Sequence, residues 1–265
     1  MPHDPASAVA QIHEYYRKRA STEAYATSPD FNLREVEINF LARWLRNDIA
    51  VLDAGCGNGY STLCHAARFR ASFTGIDFVL EMVEAARQLQ QRFTLAGSVD
   101  FRRGDVTALE FPEASFDVVA TQRCLLNLPS REAQWRAMAE VARVLRPGGI
   151  YLMLEGTLQG LRRLNAVRGK FALAPIPEAE STYNWFSNKF DEDEMLPVAR
   201  SLFAKVEHIQ RFGMYYFVSR VIHPLLVAPD QPKYDAPINA VARRICEEYP
   251  DFNEMGHVAL FVLRR

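Results

Sequence analysis

The stretch Ile49–Thr62, IAVLDAGCGNGYST, restricts the fold more than any other part of the chain. An apolar run ends in Asp53, and Gly55, Gly57 and Gly59 follow at alternate positions. Such a run entering closely spaced glycines reads as a buried strand that turns sharply into a helix. Glycine serves there because it lacks a Cβ and takes positive φ without penalty. A dinucleotide loop needs G-x-G-x-x-G, its third glycine letting the helix approach the sheet while a pyrophosphate sits on the helix N-terminus. Tyr60 occupies that third position, so the fingerprint fails. Asp53 would also repel a pyrophosphate and suits a ligand that carries positive charge.

The rest of the chain alternates strand and helix patterns, which predicts a doubly wound α/β fold, its mostly parallel sheet covered on both faces. Leu33, Val36, Phe40, Leu41, Trp44 and Leu45 make a helical stripe before the first strand. Strands are expected at IAVLDA, ASFTGID, VDFRRGD, FDVVATQ and IYLMLE, with helices at 60–69, VLEMVEAARQLQQRF and REAQWRAMAEVARVL. Arg146-Pro147-Gly148-Gly149 is expected to stop the last of these helices and turn the chain. AKVEHIQRFG and GHVALFVLRR read as the sixth and seventh strands.

D-x-G-x-G-x-G at the end of a first strand resembles motif I of the class I S-adenosylmethionine-dependent methyltransferases. Further motifs match in order: Asp77 ending the second strand, Gly104-Asp105-Val106 after the third, and LRPGG before the fifth. The resemblance covers residues 33–155 and the last strand. It implies a Rossmann-like sheet of seven strands and S-adenosylmethionine as cofactor, with S-adenosylhomocysteine as product. It further implies that Asp53, Gly55 and Gly57 border the methionine part, that Asp77 accepts from the ribose hydroxyls, and that Phe78, Asp105 and Val106 surround the adenine. Gln122, ending the fourth strand, falls where the family places the residue nearest the transferring methyl. Arg123 and Asn127 would then border the acceptor.

Three segments depart from the family pattern: residues 1–30, about 156–187 and about 213–255. They are expected to form a helical cap around a methyltransferase domain spanning 31–265, since long insertions in α/β domains are commonly functional. The first should fold over the cofactor cleft, with Tyr16 and Tyr25 lining it. Tyr183, Trp185 and Phe186 of the second suit an aromatic wall. In the third, Tyr215, Tyr216 and Arg220 are substrate-binding candidates, and His223 is a candidate base because histidine titrates near neutrality. Glu155, at the end of the fifth strand, is a second catalytic candidate, with loop anchoring as its competing role.

Composition narrows the partner. A net charge of −1 and a pI near 6.6 provide no basic field for nucleic acid. Arg162, Arg163, Arg168 and Lys170 read as a solvated helix face. The four cysteines form no C-x-x-C pair, so neither a disulfide framework nor a metal site is expected. No secretion signal or membrane span is legible. The expected protein is a cytoplasmic enzyme, monomer or homodimer, that methylates O or N of a small-molecule acceptor. A C-methyltransferase and a non-catalytic adenosylmethionine-binding subunit are the alternatives.

Overall fold

The computed structural model describes residues 5–23, 26–178 and 187–265. Tyr25, Tyr183, Trp185 and Phe186 lie outside the described residues. The apolar run Ala50–Ala54 forms β1, the centre of a seven-stranded sheet ordered β3-β2-β1-β4-β5-β7-β6. β2 (Ser72–Asp77), β3 (Ser98–Arg103), β4 (Phe116–Gln122) and β5 (Leu145–Gly156) run parallel to it, while β7 (Val258–Arg264) is antiparallel to both β5 and β6 (Lys205–Arg211). The doubly wound, mostly parallel sheet is therefore as expected. The strand order reverses between β1 and β4, and ligands of open parallel sheets bind outside the carboxyl ends of strands at such a point.

Neighbouring residues on each strand feed opposite cores, as the two-residue period of a strand requires. Val51, Val118 and Leu152 pack with Leu33, Val36, Phe40 and Leu41 of α2 (Phe31–Ala42). Their neighbours Leu52, Val119 and Met153 pack on the other face with Met138 and Val141 of α5 (Arg131–Val144). Each of these side chains contributes about 1.5–3 kcal/mol by leaving water. A charge at Val119, fully buried in the central layer, would oppose that directly.

The segment LRPGG behaves differently from expectation. α5 does end at Val144, but Leu145 already pairs with Phe116, and the ladder resumes at Val118 with Ile150. Residues 146–149 therefore bulge from the start of β5, with Gly148 at φ +76°, rather than form a separate turn.

α3 (Tyr60–Arg68) and α4 (Leu80–Gln90) follow β1 and β2, and α7 (Glu192–Leu202) precedes β6. The additions are mainly helical. α1 (Pro5–Arg17) precedes α2, and α6 (Leu158–Lys170) follows β5. Between β6 and β7 a helical run comprises α8 (Gly213–Phe217), a π-helical turn (Val218–Ile222) and α9 (His223–Val227), with α10 (Pro237–Glu248) beyond. α10 packs on both α2 and α8, which seats this insertion beside the helix preceding β1. The arginines of α6 are engaged locally: Arg162 pairs with Glu178, Arg163 with Glu254, and Arg168 donates to the carbonyls of Ala174 and Arg220. Among the described residues no helix is long and apolar enough to cross a membrane.

Candidate active site

The glycine loop leaves β1 with Gly55, Gly57 and Gly59 at φ +83°, +56° and +74°. The N–H groups of Gly55 and Cys56 both donate to Ile76 O, at 2.8 and 2.9 Å, which ties the loop to the end of β2. A Cβ on Gly55 would sit 2.2 Å from Cys124 Sγ, and one on Gly59 2.5 Å from the Phe101 ring. Gly59 thus permits the close approach of helix to sheet that a dinucleotide loop assigns to the residue occupied here by Tyr60.

Asp77 closes the loop from the other side. Its Oδ2 accepts from Gly57 N–H and its Oδ1 from Val79 N–H, each at 2.9 Å. Burial pushes its pKa up, and the two N–H groups oppose that. Each oxygen retains a lone pair for a ribose hydroxyl. Asp53 is buried, and its Oδ2 accepts from the Thr62 hydroxyl at 2.5 Å. Burial pushes Asp53 up to about 6, against the Thr62 hydrogen bond and the Arg34 charge. A buried carboxylate with so little compensation favours a cationic ligand nearby.

At the adenine end, Phe78 is 40 % exposed. The His13 ring of α1 meets it edge-on at 5.6 Å, and the Arg103 guanidinium lies 5.6 Å from its centroid. Val106 is buried, while the exposed Asp105 uses Oδ1 to accept from both N–H and hydroxyl of Thr107 at 2.8 Å. These residues, on the ends of β2 and β3, form an open edge beside the loop. They fit an adenosine held by carboxylates and an apolar face.

Next to this edge, at the end of β4, polar side chains from distant segments converge. Gln122 Nε2 donates to Glu37 Oε2 at 2.8 Å, and Arg123 Nη2 lies 3.2 Å from the same oxygen. Arg123, at φ +53°, also donates to Ser28 Oγ at 3.2 Å. Asp30 caps α2 by accepting from Leu33 N–H at 3.1 Å. The Tyr215 hydroxyl donates to the same carboxylate at 2.6 Å, and Arg220 pairs with its other oxygen. Tyr216 packs edge-on to the His257 ring at 4.8 Å. Tyr16 of α1 is within electrostatic reach of Arg123, Cys124 and Asp77, and burial raises its phenol pKa. The additions therefore meet the strand ends here, and Tyr16, Arg123, Tyr215, Tyr216 and Arg220 fall in one neighbourhood.

Among the described residues, several buried atoms in this neighbourhood have no hydrogen-bond partner: Glu37 Oε1, Tyr216 OH and His257 Nδ1. An unsatisfied buried polar group costs about 1–3 kcal/mol, so such groups mark places that another molecule completes. Burial pushes the Glu37 carboxyl up, against Arg123, the Gln122 hydrogen bond and Arg34.

Three expected residues are placed differently. Glu155 is fully buried, and its carboxylate accepts from the N–H groups of Cys124, Leu125 and Leu126 at 3.1, 2.9 and 3.1 Å. It anchors the loop after β4, the role set against catalysis for this residue. Burial raises it to about 7 despite these bonds. Asn127 turns back to donate to Arg123 O at 2.7 Å, holding that loop's shape. His223 is 3 % exposed and its Nδ1 has no partner among the described residues. Burial, then the Arg220 charge, lowers its pKa. No described hydrogen bond joins it to Gln122, Arg123 or Glu37.

Sequence reasoning missed Asp30, Glu37, His13 and His257. Glu37 had a signal: it is a charge on the apolar stripe formed by Leu33, Val36, Phe40 and Leu41. Asp30 had one as well, preceding the helix as a cap residue does.

Residues 51–149 match a family model described as a methyltransferase domain. Over 105 residues the chain is 37% identical to 27-O-demethylrifamycin SV methyltransferase of Amycolatopsis mediterranei, covering 40% of this chain and 38% of that one. Over 130 residues it is 33% identical to the ubiquinone/menaquinone biosynthesis C-methyltransferase UbiE of Rhodopseudomonas palustris, covering 48% of this chain and 50% of that one. The first curated relatives are spanned over only 38%, 48% and 34% of their length. Among solved structures, the [4+2]-cyclase SpnF superposes with a TM-score of 0.56 at 21% identity, covering 88% of this chain and 80% of that one. At that identity the likeness concerns the fold alone. Residues 51–149 thus form a methyltransferase domain, and over that part the chain is similar to S-adenosylmethionine-dependent methyltransferases. Its relatives are named for acceptors of different kinds, and so the family leaves the methylated atom open.

Proposed function

We propose that this chain transfers a methyl group from S-adenosylmethionine to a small organic acceptor, on oxygen or nitrogen. The observation that supports this best is the junction at the end of β4. The glycine loop with Asp77 lies on one side, and the Asp30–Glu37 cluster, to which added segments contribute Asp30, Tyr215 and Arg220, lies on the other. Asp53, Gly55 and Gly57 hold the methionine part, Asp77 the ribose, and Phe78, Asp105 and Val106 the adenine. The bound sulfonium supplies an activated methyl, so the chain's own contribution is placement. It must align acceptor and donor at a near-attack separation of about 3–3.5 Å and keep water out. Gln122 and Arg123 stand where the two ligands would meet, and Tyr16, Tyr215, Tyr216 and Arg220 enclose the acceptor. The tyrosines and the mutually paired charges of this buried cluster suit a small metabolite or natural product with polar groups.

Calorimetry with S-adenosylhomocysteine tests the cofactor half of this reading. The wild type should bind it, and Asp77→Ala should weaken binding by about 1–3 kcal/mol, the scale for losing hydrogen bonds to a charged group. A wild-type protein that binds no S-adenosylhomocysteine would sink the reading.

A further inference from the structure

We infer that Glu37 is the general base of this site and that the acceptor is a neutral hydroxyl compound, a phenol or an alcohol. This rests on the methyltransferase reading above and names its acceptor class. Glu37 lies on α2, fully buried, with one oxygen fixed by Gln122 and Arg123 and the other without a partner among the described residues. A carboxylate held by one oxygen and free at the other is oriented to take a proton. Two further unpartnered atoms, Tyr216 OH and His257 Nδ1, belong to rings in contact at 4.8 Å, and Tyr216 is within electrostatic reach of Glu37.

The surrounding charges select the class. Arg34 on the same helix, Arg123 after β4 and Arg220 in the π-helical turn face Asp30 and Glu37 in this neighbourhood. With Asp53, which also faces Arg34, three cations stand against three carboxylates, so the neighbourhood is already balanced and an ammonium acceptor would add an uncompensated charge. The unpartnered oxygen of Glu37 disfavours an anionic one, which can enter only as Glu37 takes up a proton. A neutral hydroxyl satisfies both constraints: it donates to Glu37 Oε1 and accepts from a neighbouring donor.

The step balances. The acceptor O–H bond breaks and its proton passes to Glu37 Oε1. The oxygen electron pair forms the new O–C bond. The C–S bond breaks with its electrons remaining on sulfur, so the donor leaves as a neutral thioether. The Glu37 proton then passes to solvent. His223 and Glu155 have no part in it.

Two probes separate a base from a structural carboxylate: at slightly alkaline pH 4-methoxyphenol is neutral and 4-nitrophenol is largely ionised. Wild type should methylate both. Glu37→Gln should lose about 10²–10⁴-fold in kcat on 4-methoxyphenol, the usual contribution of a general base. It should change little on the phenolate, which has no proton to lose. Glu37→Asp should recover part of the lost rate, and both variants should bind S-adenosylhomocysteine as wild type does. Equal loss on the two probes overturns the base assignment. Wild-type protein that binds S-adenosylhomocysteine but methylates neither probe overturns the acceptor class. Failure to bind S-adenosylhomocysteine would instead indict the underlying reading.

A second measurement needs no turnover. Two adjacent buried oxygens cannot both stay ionised. Binding 4-nitrophenolate to the S-adenosylhomocysteine complex at slightly alkaline pH should therefore take up about one proton per site. Calorimetry in buffers of different ionisation enthalpy reads that uptake. Glu37→Gln should abolish it, and uptake unchanged in the variant would overturn the proposal.

Discussion

The two halves of the candidate site are built by opposite means. The cofactor half is made of contiguous backbone: the glycine loop, the end of β2 and the turn after β3 lie within residues 53–107. Its groups are held by nearby N–H groups, as when Asp77 accepts from Gly57 and Val79. The acceptor half is made of side chains from distant segments. Asp30 meets Tyr215 and Arg220 across sequence separations of 185 and 190 residues. Backbone-built sites tolerate little change in residue type at their turns, whereas side-chain clusters depend on mutual charge compensation.

The acceptor half should accordingly break most severely when one partner is removed. Asp30→Ala deletes the carboxylate that caps α2 and pairs with Tyr215 and Arg220. Breaking a buried ion pair by removing one side costs about 3–5 kcal/mol, because the other charge stays buried. Urea unfolding should show a loss of that size. A loss below about 1 kcal/mol would mean that this cluster does not hold the insertion to α2.

The corresponding break in the cofactor half is steric. Gly55→Ala combines positive φ with a Cβ 2.2 Å from Cys124 Sγ. Strain and overpacking each cost about 1–3 kcal/mol. Thermal melts should show the loss together with weakened S-adenosylhomocysteine binding, since the same loop carries both. A variant that melts lower but binds normally would separate fold from site in this half.

This contrast explains what was legible. Gly55, Gly57 and Gly59 occupy backbone conformations that other residues rarely adopt, so the loop left a signature in residue type. The alternating strands and the helical stripe of α2 follow from burial periodicity, which is local as well. Nothing local announces that Glu37 meets Gln122 and Arg123, or that Tyr216 meets His257. Those contacts depend on where the insertion between β6 and β7 is seated by α10. Even LRPGG, correctly placed before β5, was misread in shape, because a bulge in a ladder is decided by the partner strand.

Charge titration sharpens the comparison at Asp53. Its pKa rises from the usual carboxylate range to about 6 on folding, mainly through burial. The folded state therefore holds this proton more tightly than the unfolded chain does. That contribution is present below the unfolded pKa, near 4, and is lost as pH rises through about 6. Asp53→Asn removes the titration. Without cofactor, the variant should gain stability relative to wild type between about pH 4 and pH 8, by about 1–3 kcal/mol. A difference in melting temperature that stays constant over that range would show that Asp53 is not desolvated in solution.

The smallest expected effect lies at Asp105, the exposed limit of the cofactor half. Its Oδ1 is already engaged by Thr107, so the side chain holds its position without a ligand. One remaining oxygen can accept one hydrogen bond from the adenine amino group, worth about 0.5–1.5 kcal/mol net. Asp105→Ala should thus weaken S-adenosylhomocysteine binding less than Asp77→Ala does, because Asp77 presents two fixed oxygens from a more buried position. The decisive comparison uses S-inosylhomocysteine, in which a carbonyl replaces the adenine amino group. With no exocyclic amino donor to lose and a carbonyl that the Asp105 carboxylate repels, that analogue should bind the variant at least as well as it binds wild type. An equal loss for both ligands would mean that Asp105 serves only the turn it forms with Thr107, and would leave Val106 and Phe78 as the adenine's contacts.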